Sequence, residues 1–162
     1  MFACMNTLEQ GDLGEVSAME WLTSVGARVL LPIGHSPDYD LVADLNGRLL
    51  RVQVKTCTYF LRDRWAVQVC TRGGNQSWSG TSKFMTADRC EYLFVLVGDG
   101  RRWFIRSDVL GGGNRICVGG PKYAEYEVER GRPIEDDACE RPLYNRPRLA
   151  RGDVRVVKGG GL

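Results

Sequence analysis

The sequence predicts an α/β (α+β) domain built around a mixed sheet. Three observations carry that expectation. An amphipathic helical stripe opens the chain. Short apolar runs separated by tight-turn residues follow it. One of those runs, EYLFVLVG at residues 91–98, is apolar almost throughout. A helix followed by hairpin-linked strands, with little helix afterwards, is the element order of a sheet covered by a helix.

Residues 8–25 read as the helix. Leu13, Val16, Met19 and Leu22 recur every three positions, and Ala18 and Val25 widen the stripe. Gly26 is a natural stop. Residues 27–33 (ARVLLPI) form a short strand ended near Pro32, and GHSPD turns the chain. Residues 39–45 (YDLVADL) form the next strand. Asn46-Gly47 is a two-residue hairpin signal, and residues 48–57 (RLLRVQVKTC) return from it. WAVQVCT at 65–71 is expected as a third member of the same sheet, and RGGNQSWSGTSKF as a polar, glycine-rich loop. The apolar run at 91–98 implies a strand covered on both faces. Asp99-Gly100 turns it into RRWFIRS, and a short strand is expected near Ile116 to Val118.

The chain has 162 residues, of which 43% are hydrophobic, enough for one core and a short appendage. The expected division is a domain over 1–130 and a basic tail over 131–162, rich in Pro, Gly and Arg, that is irregular, disordered or in contact with a polyanion. No apolar run approaches the roughly 18 residues that span a bilayer. No basic, apolar, small-residue export signal opens the chain, so a soluble cytoplasmic protein is expected. Six cysteines without a C-x-x-C pair, and His35 as the single histidine, argue against structural zinc and for free, mostly buried thiols. The net charge of +2 is unevenly spread. Seven acids face two bases in residues 1–50, whereas residues 141–158 carry six bases against Asp153. An acidic front and a basic back suit a cation site in one half and a polyanion contact in the other.

The stretch that carries chemistry is Pro37-Asp38-Tyr39-Asp40-Leu41-Val42 followed by Arg51-Val52-Gln53-Val54-Lys55. Alternate strand residues share a face, so Arg51, Gln53 and Lys55 point one way and Leu50, Val52 and Val54 the other. The Asn46-Gly47 turn brings Asp40 alongside. Glu15 lies at the border of the helix's apolar stripe, at helical spacing from Ala18 and Leu22.

This pattern resembles the PD-(D/E)XK nuclease superfamily, and within it the homing endonucleases of group I introns, where Gln stands in the acid position. The words that carry the resemblance are GDLGEVSAMEWL, YDLV and RVQVKT, with EYLFVLVGDGRRWFI and KYAEYEV as later strands, over roughly residues 11–129. The resemblance implies a restriction-endonuclease-like core and a metal-dependent, site-specific DNA endonuclease of homing or restriction type, associated with a mobile element. A Holliday-junction-resolving nuclease and a catalytically degenerate DNA-binding module share the pattern. It further implies Asp40 as the principal metal ligand, with Asp38 as the competitor. Glu15, the side-chain oxygen of Gln53 and the carbonyl of Val54 complete the shell, and Lys55 orients the attacking water. The implied ion is Mg²⁺, with Mn²⁺ as a substitute. The implied partner is double-stranded DNA, bound by a homodimer or homotetramer. Base-edge contacts are expected from Arg72, Asn75, Gln76, Trp78 and Lys83, because Arg, Asn and Gln match the hydrogen-bonding edges of the major groove. Arg62, Arg64, Arg101, Arg102 and the tail are candidates for phosphates. The closing RGDVRVVKGGGL looks like a reading frame running into a bacterial tRNA gene.

Overall fold

A computed structural model describes residues 5–33, 38–72 and 82–134. Helix α1 (Thr7–Ser24) is capped by Asn6, whose side chain accepts from Leu8 and Glu9 N–H while Glu9 reaches back to the Asn6 N–H. Strands β1 (Arg28–Leu30), β2 (Leu41–Leu45) and β3 (Arg48–Cys57) follow, then β4 (Phe60–Leu61), β5 (Arg64–Gln68), β6 (Thr71–Arg72) and β7 (Ser82–Lys83). The chain continues through β8 (Tyr92–Val97), β9 (Arg102–Arg106), β10 (Arg115–Val118) and β11 (Glu127–Val128), with 3-10 turns at Ser107–Val109 and Pro121–Tyr126. Lys122–Tyr126 is therefore a 3-10 turn where a strand was expected.

The main sheet has the order β1-β2-β3-β8-β9-β11. All its pairs are antiparallel except β3 and β8, which run parallel from Val52↔Tyr92 to Cys57↔Val97. Asn46 and Gly47 both take positive φ, 54° and 79°, the geometry that lets a two-residue turn follow strand twist. Leu93 to Val97 are buried on both faces.

Residues 65–71 do not join this sheet. β5 pairs with β4 and β10 in a separate three-stranded sheet. The sequence contains the reason. Only Trp65, Ala66 and Val67 are buried, between exposed Arg64 and Gln68, a run too short for a strand covered on both faces along its length. The slot beside β3 instead takes β8, which is apolar enough for a covered strand. The result is three layers, with α1, the main sheet and the β4-β5-β10 sheet in succession. One core lies under α1, formed by Ala18, Leu22, Leu41, Val52, Val54 and Phe94. The other lies between the sheets, formed by Trp65, Val67, Leu93, Val95, Trp103 and Ile105.

The helical stripe also differs from expectation. Val16 and Val25 are 56% and 47% exposed, and the buried line is Gly14, Ala18 and Leu22. Small residues at that spacing let the helix approach the sheet closely. Cys57, Cys70 and Cys90 are buried free thiols, and Cys117 is exposed. Burial pushes the Cys90 thiol up to about 11. No described helix is long and apolar enough to cross a membrane.

The chain beyond β11 returns to the main sheet. Gly131 N–H donates to the Gly100 carbonyl, Ile134 N–H donates to that of Gly98, and Ile134 is buried. Arg102 holds this end against the helix. Its side chain, 2% exposed, donates through Nε to the Glu129 carbonyl and through Nη1 to Glu20 and Ser17. Glu20 is itself 61% exposed, so water can replace it. Urea denaturation should show Arg102→Ala costing about 3 kcal/mol, because a fully buried side chain is removed together with its charged hydrogen bonds to Ser17, Glu20 and Glu129. Glu20→Gln should cost less than about 1 kcal/mol. Equal losses would refute this assignment.

Candidate active site

β3 runs on past the start of β2, and the site forms at that step. Its odd-numbered backbone groups bond toward β8, as Arg51 and Cys57 carbonyls accept from Glu91 and Gly98. Its even-numbered groups face β2, where the Val52 carbonyl accepts from Asp40 N–H at 2.9 Å. The next N–H on that side, of Val54, has passed the end of the β2 ladder. The Asp40 carboxylate takes the missing strand's place: Oδ2 accepts from Val54 N–H at 2.7 Å and from Gln53 Nε2. The carbonyl of Val54 faces the same side.

The rest of the site comes from α1. Gly14 packs directly on β3, where a Cβ would stand 2.0 Å from Thr56 Oγ1 and 3.3 Å from Val54 Cγ1. That contact carries the next residue, Glu15, into the field of Asp40. Burial first, then Asp40, then Asp12 hold the Glu15 carboxyl above its usual range. Burial likewise raises Asp40, opposed by the Val54 N–H and the charge of Lys55. Gln53 is 9% exposed, a buried amide beside two carboxylates.

The structure thus brings together Glu15, Asp40, Gln53, Val54 and Lys55. Asp38 lies at the rim of this set, lining a small cavity together with Gln53, Arg89 and Cys90. Asp38 is 39% exposed on its side chain and stands 4.0 Å from Arg89. Arg51, on the same face of β3 as Gln53, is occupied by Glu91, with Nη2–Oε1 at 2.5 Å. Two arginines expected at phosphates are engaged elsewhere: Arg101 pairs with Glu127 at 2.7 Å, and Arg102 is buried under α1. Asn75, Gln76, Trp78, His35 and the basic tail lie outside the described residues. Arg72 and Lys83 belong to the two-stranded β6-β7 ladder that closes the loop.

The donor set suits a hard divalent cation. Every available ligand is oxygen, and one or two carboxylates suffice for Mg²⁺. Two carboxyls held above their ordinary range, both by burial and Glu15 also by the charge of Asp40, gain from a cation near both. Among the described residues, no three Asp, Glu, His or Cys side chains converge, and Gln53 is the amide hydrogen-bonded to Asp40.

The sequence reading missed one wall. A groove of about 590 Å³ opens beside Lys55, lined across from it by Tyr59, Gln68 and Arg115. The alternation of exposed Arg115 and Cys117 with buried Ile116 and Val118 marks the outward face of β10. Its position opposite β5, and so beside Lys55, has no local signal.

A mixed sheet carrying a helix-borne glutamate on one face and a strand-borne Asp–Gln–Lys set on the other defines a restriction-endonuclease-like α/β fold. The chain belongs to the PD-(D/E)XK endonuclease family, whose profile matches residues 5–91. No curated protein matches the sequence. Among solved structures it is similar to the bacterial homing endonuclease I-Ssp6803I, with a TM-score of 0.58 at 23% identity, over 75% of this chain and 87% of that one.

The Gly14 contact is directly testable. Gly14→Ala should cost about 1–3 kcal/mol in urea denaturation through overpacking. Thr56→Ala alone should be nearly neutral, because the buried Thr56 hydroxyl makes no hydrogen bond. The double variant should recover most of the loss, and a loss as large as that of Gly14→Ala would place the strain elsewhere.

Proposed function

We propose that this nuclease is a Mg²⁺-dependent, site-specific DNA endonuclease whose catalytic set is Asp40, Glu15, Gln53 and Lys55. One observation carries the reading: a buried carboxylate, Asp40, is fixed by Val54 N–H and Gln53 while it shares its field with Glu15 and Lys55. The family supplies the substrate class, DNA, and the likeness to a homing endonuclease favours a defined target site.

Asp40 is the principal cation ligand. Its bond to the strand backbone fixes its position before any ion arrives, which lowers the cost of binding. Glu15 adds a second carboxylate, directly or through water. The Gln53 amide and the Val54 carbonyl add neutral oxygens; turning the amide about its last bond exchanges Nε2 for Oε1. A divalent cation held there supplies Lewis-acid polarisation of a phosphoryl oxygen and hydroxide at neutral pH. Lys55, cationic and on the Gln53 face of β3, offsets phosphate charge and orients the attacking water. An amide in place of a third acid leaves one negative charge fewer, so this set binds cations more weakly than three carboxylates would. A symmetric target would be met by a dimer or tetramer of the chain.

Supercoiled plasmid incubated with the protein and Mg²⁺ should be nicked or linearised, and chelator should stop it. Asp40→Ala and Lys55→Ala should each lower cutting by at least about a hundredfold. No cleavage of plasmid or genomic DNA, together with no Mg²⁺ binding by calorimetry, would sink the enzyme reading and leave a DNA-binding module.

The metal assignment has its own readout. Gln53→Glu adds a charge against Asp40 and Glu15. In chelator it should lower Tm by about 3 °C, and in excess Mg²⁺ it should show a larger rise in Tm than the unmodified protein. The same Tm response to Mg²⁺ in both proteins would remove Gln53 from the ligand set.

A further inference from the structure

The groove beside Lys55 has a charge pattern that the cation site does not explain. It is bounded on one side by the end of β3 and on the other by the outer face of the β4-β5-β10 sheet. Arg115 and Gln68 stand directly opposite each other on β10 and β5, and both are exposed. Among the described residues that line the groove, the charged side chains are Lys55 and Arg115, and none is acidic. Several other described arginines are held by carboxylates, as Arg51, Arg101 and Arg106 are by Glu91, Glu127 and Asp108. A groove with two cations and no carboxylate among its described lining residues suits an anion longer than one phosphate.

We infer that this groove is a backbone track for one strand of the substrate, in which Arg115 and Gln68 hold a phosphate flanking the one at Lys55. The inference rests on the endonuclease reading and adds to it a second anchoring point. Arg115 and Lys55 line one groove of about 590 Å³, room for more than one phosphate of a single strand, whose phosphates succeed one another every 3.4 Å or so of helix axis. Arg115 supplies charge and a planar donor fork, and the Gln68 amide supplies a neutral donor to the same phosphate. Neither side chain reads a base, so the track gives affinity and register rather than sequence preference. It fixes which phosphate reaches Asp40, because the strand is held on both sides of Lys55's position only when Arg115 is engaged.

The test uses the full chain carrying Asp40→Ala, which binds without cutting, and a mixed-sequence 40-base-pair duplex. Anisotropy titrations over a series of salt concentrations give the slope of log K against log salt. Arg115→Gln should reduce that slope by about 0.9, equivalent to about an eightfold loss of affinity at 0.1 M salt. Gln68→Ala should weaken binding with little change of slope. Arg106→Gln, on the α1 side of the main sheet and paired with Asp108, should change neither. A second readout is alkylation of Cys117, exposed on the same face of β10 two residues from Arg115, in a protein with Cys4→Ser and Cys139→Ser. DNA should slow it several-fold. Arg115→Gln with an unchanged slope, or Cys117 labelled equally fast with and without DNA, overturns the track while the parent protein still binds and cuts. A parent protein that neither binds the duplex nor cuts plasmid overturns the endonuclease reading and the track with it.

Discussion

Helix α1 meets β3 at a point where the helix itself contributes no side chain. Gly14 lies on Thr56 and Val54 so closely that a methyl group would overlap the threonine hydroxyl. The position of Glu15 follows from that contact, since a carboxylate one residue along the helix is delivered to the end of β2 only if the helix axis lies this near the sheet. Ala18 and Leu22 continue the line of approach, and Arg102 ties Ser17 and Glu20 beside it to the chain beyond β11. The helix is therefore fixed twice along its length, by a close approach at Gly14 and by a buried guanidinium one to two turns later. The acidic site sits beside the first, where the tolerance is smallest.

Asp40 serves the fold and the site with the same oxygen. Its carboxylate supplies the acceptor that β3 lacks where β2 has ended. A buried backbone N–H without a partner costs stability, so the fold itself favours an acceptor at this position. Burial of that carboxylate beside Glu15 opposes ionisation, and Lys55 only partly offsets it. The arrangement is a local conflict between solvation and charge that a cation relieves. Such conflicts mark functional sites more often than structural ones.

Much of this was legible in the sequence because the governing signals are local. The Asn46-Gly47 turn and the alternation in RLLRVQVKTC fixed β3 at the residues observed, and with it the common face of Gln53 and Lys55. The unbroken apolar run marked β8 as a covered strand. What was not legible depends on pairing between distant segments. Whether β5 or β8 lies beside β3 is decided by which run can be buried on two faces, a comparison across the whole chain. The same limit hid Arg115, whose importance comes from its register with Gln68. In the helix, counting large apolar residues gave weight to Val16 and Val25, which face water, because the close approach at Gly14 and Ala18 is made by small side chains that periodicity of size overlooks.

The parallel pair β3–β8 requires a crossover, and the described residues of 58–91 contribute to it the strands β4 and β5 of the outer sheet and the β6–β7 ladder. Glu15, Asp40, Gln53 and Lys55 all precede that crossover, while Gln68 lies within it and Arg115 follows it on β10. The acidic cluster and the groove are thus carried largely by different stretches of chain. A lineage could replace or lengthen the crossover, and so acquire a new target, without disturbing a residue of the acidic cluster. The constraint on such exchange is β10, which arrives later in the chain and needs an edge at β5 to pair with. Descendants that diverge in what they recognise should therefore retain the Trp65–Val67 stretch that docks β10, even as the loops around it drift.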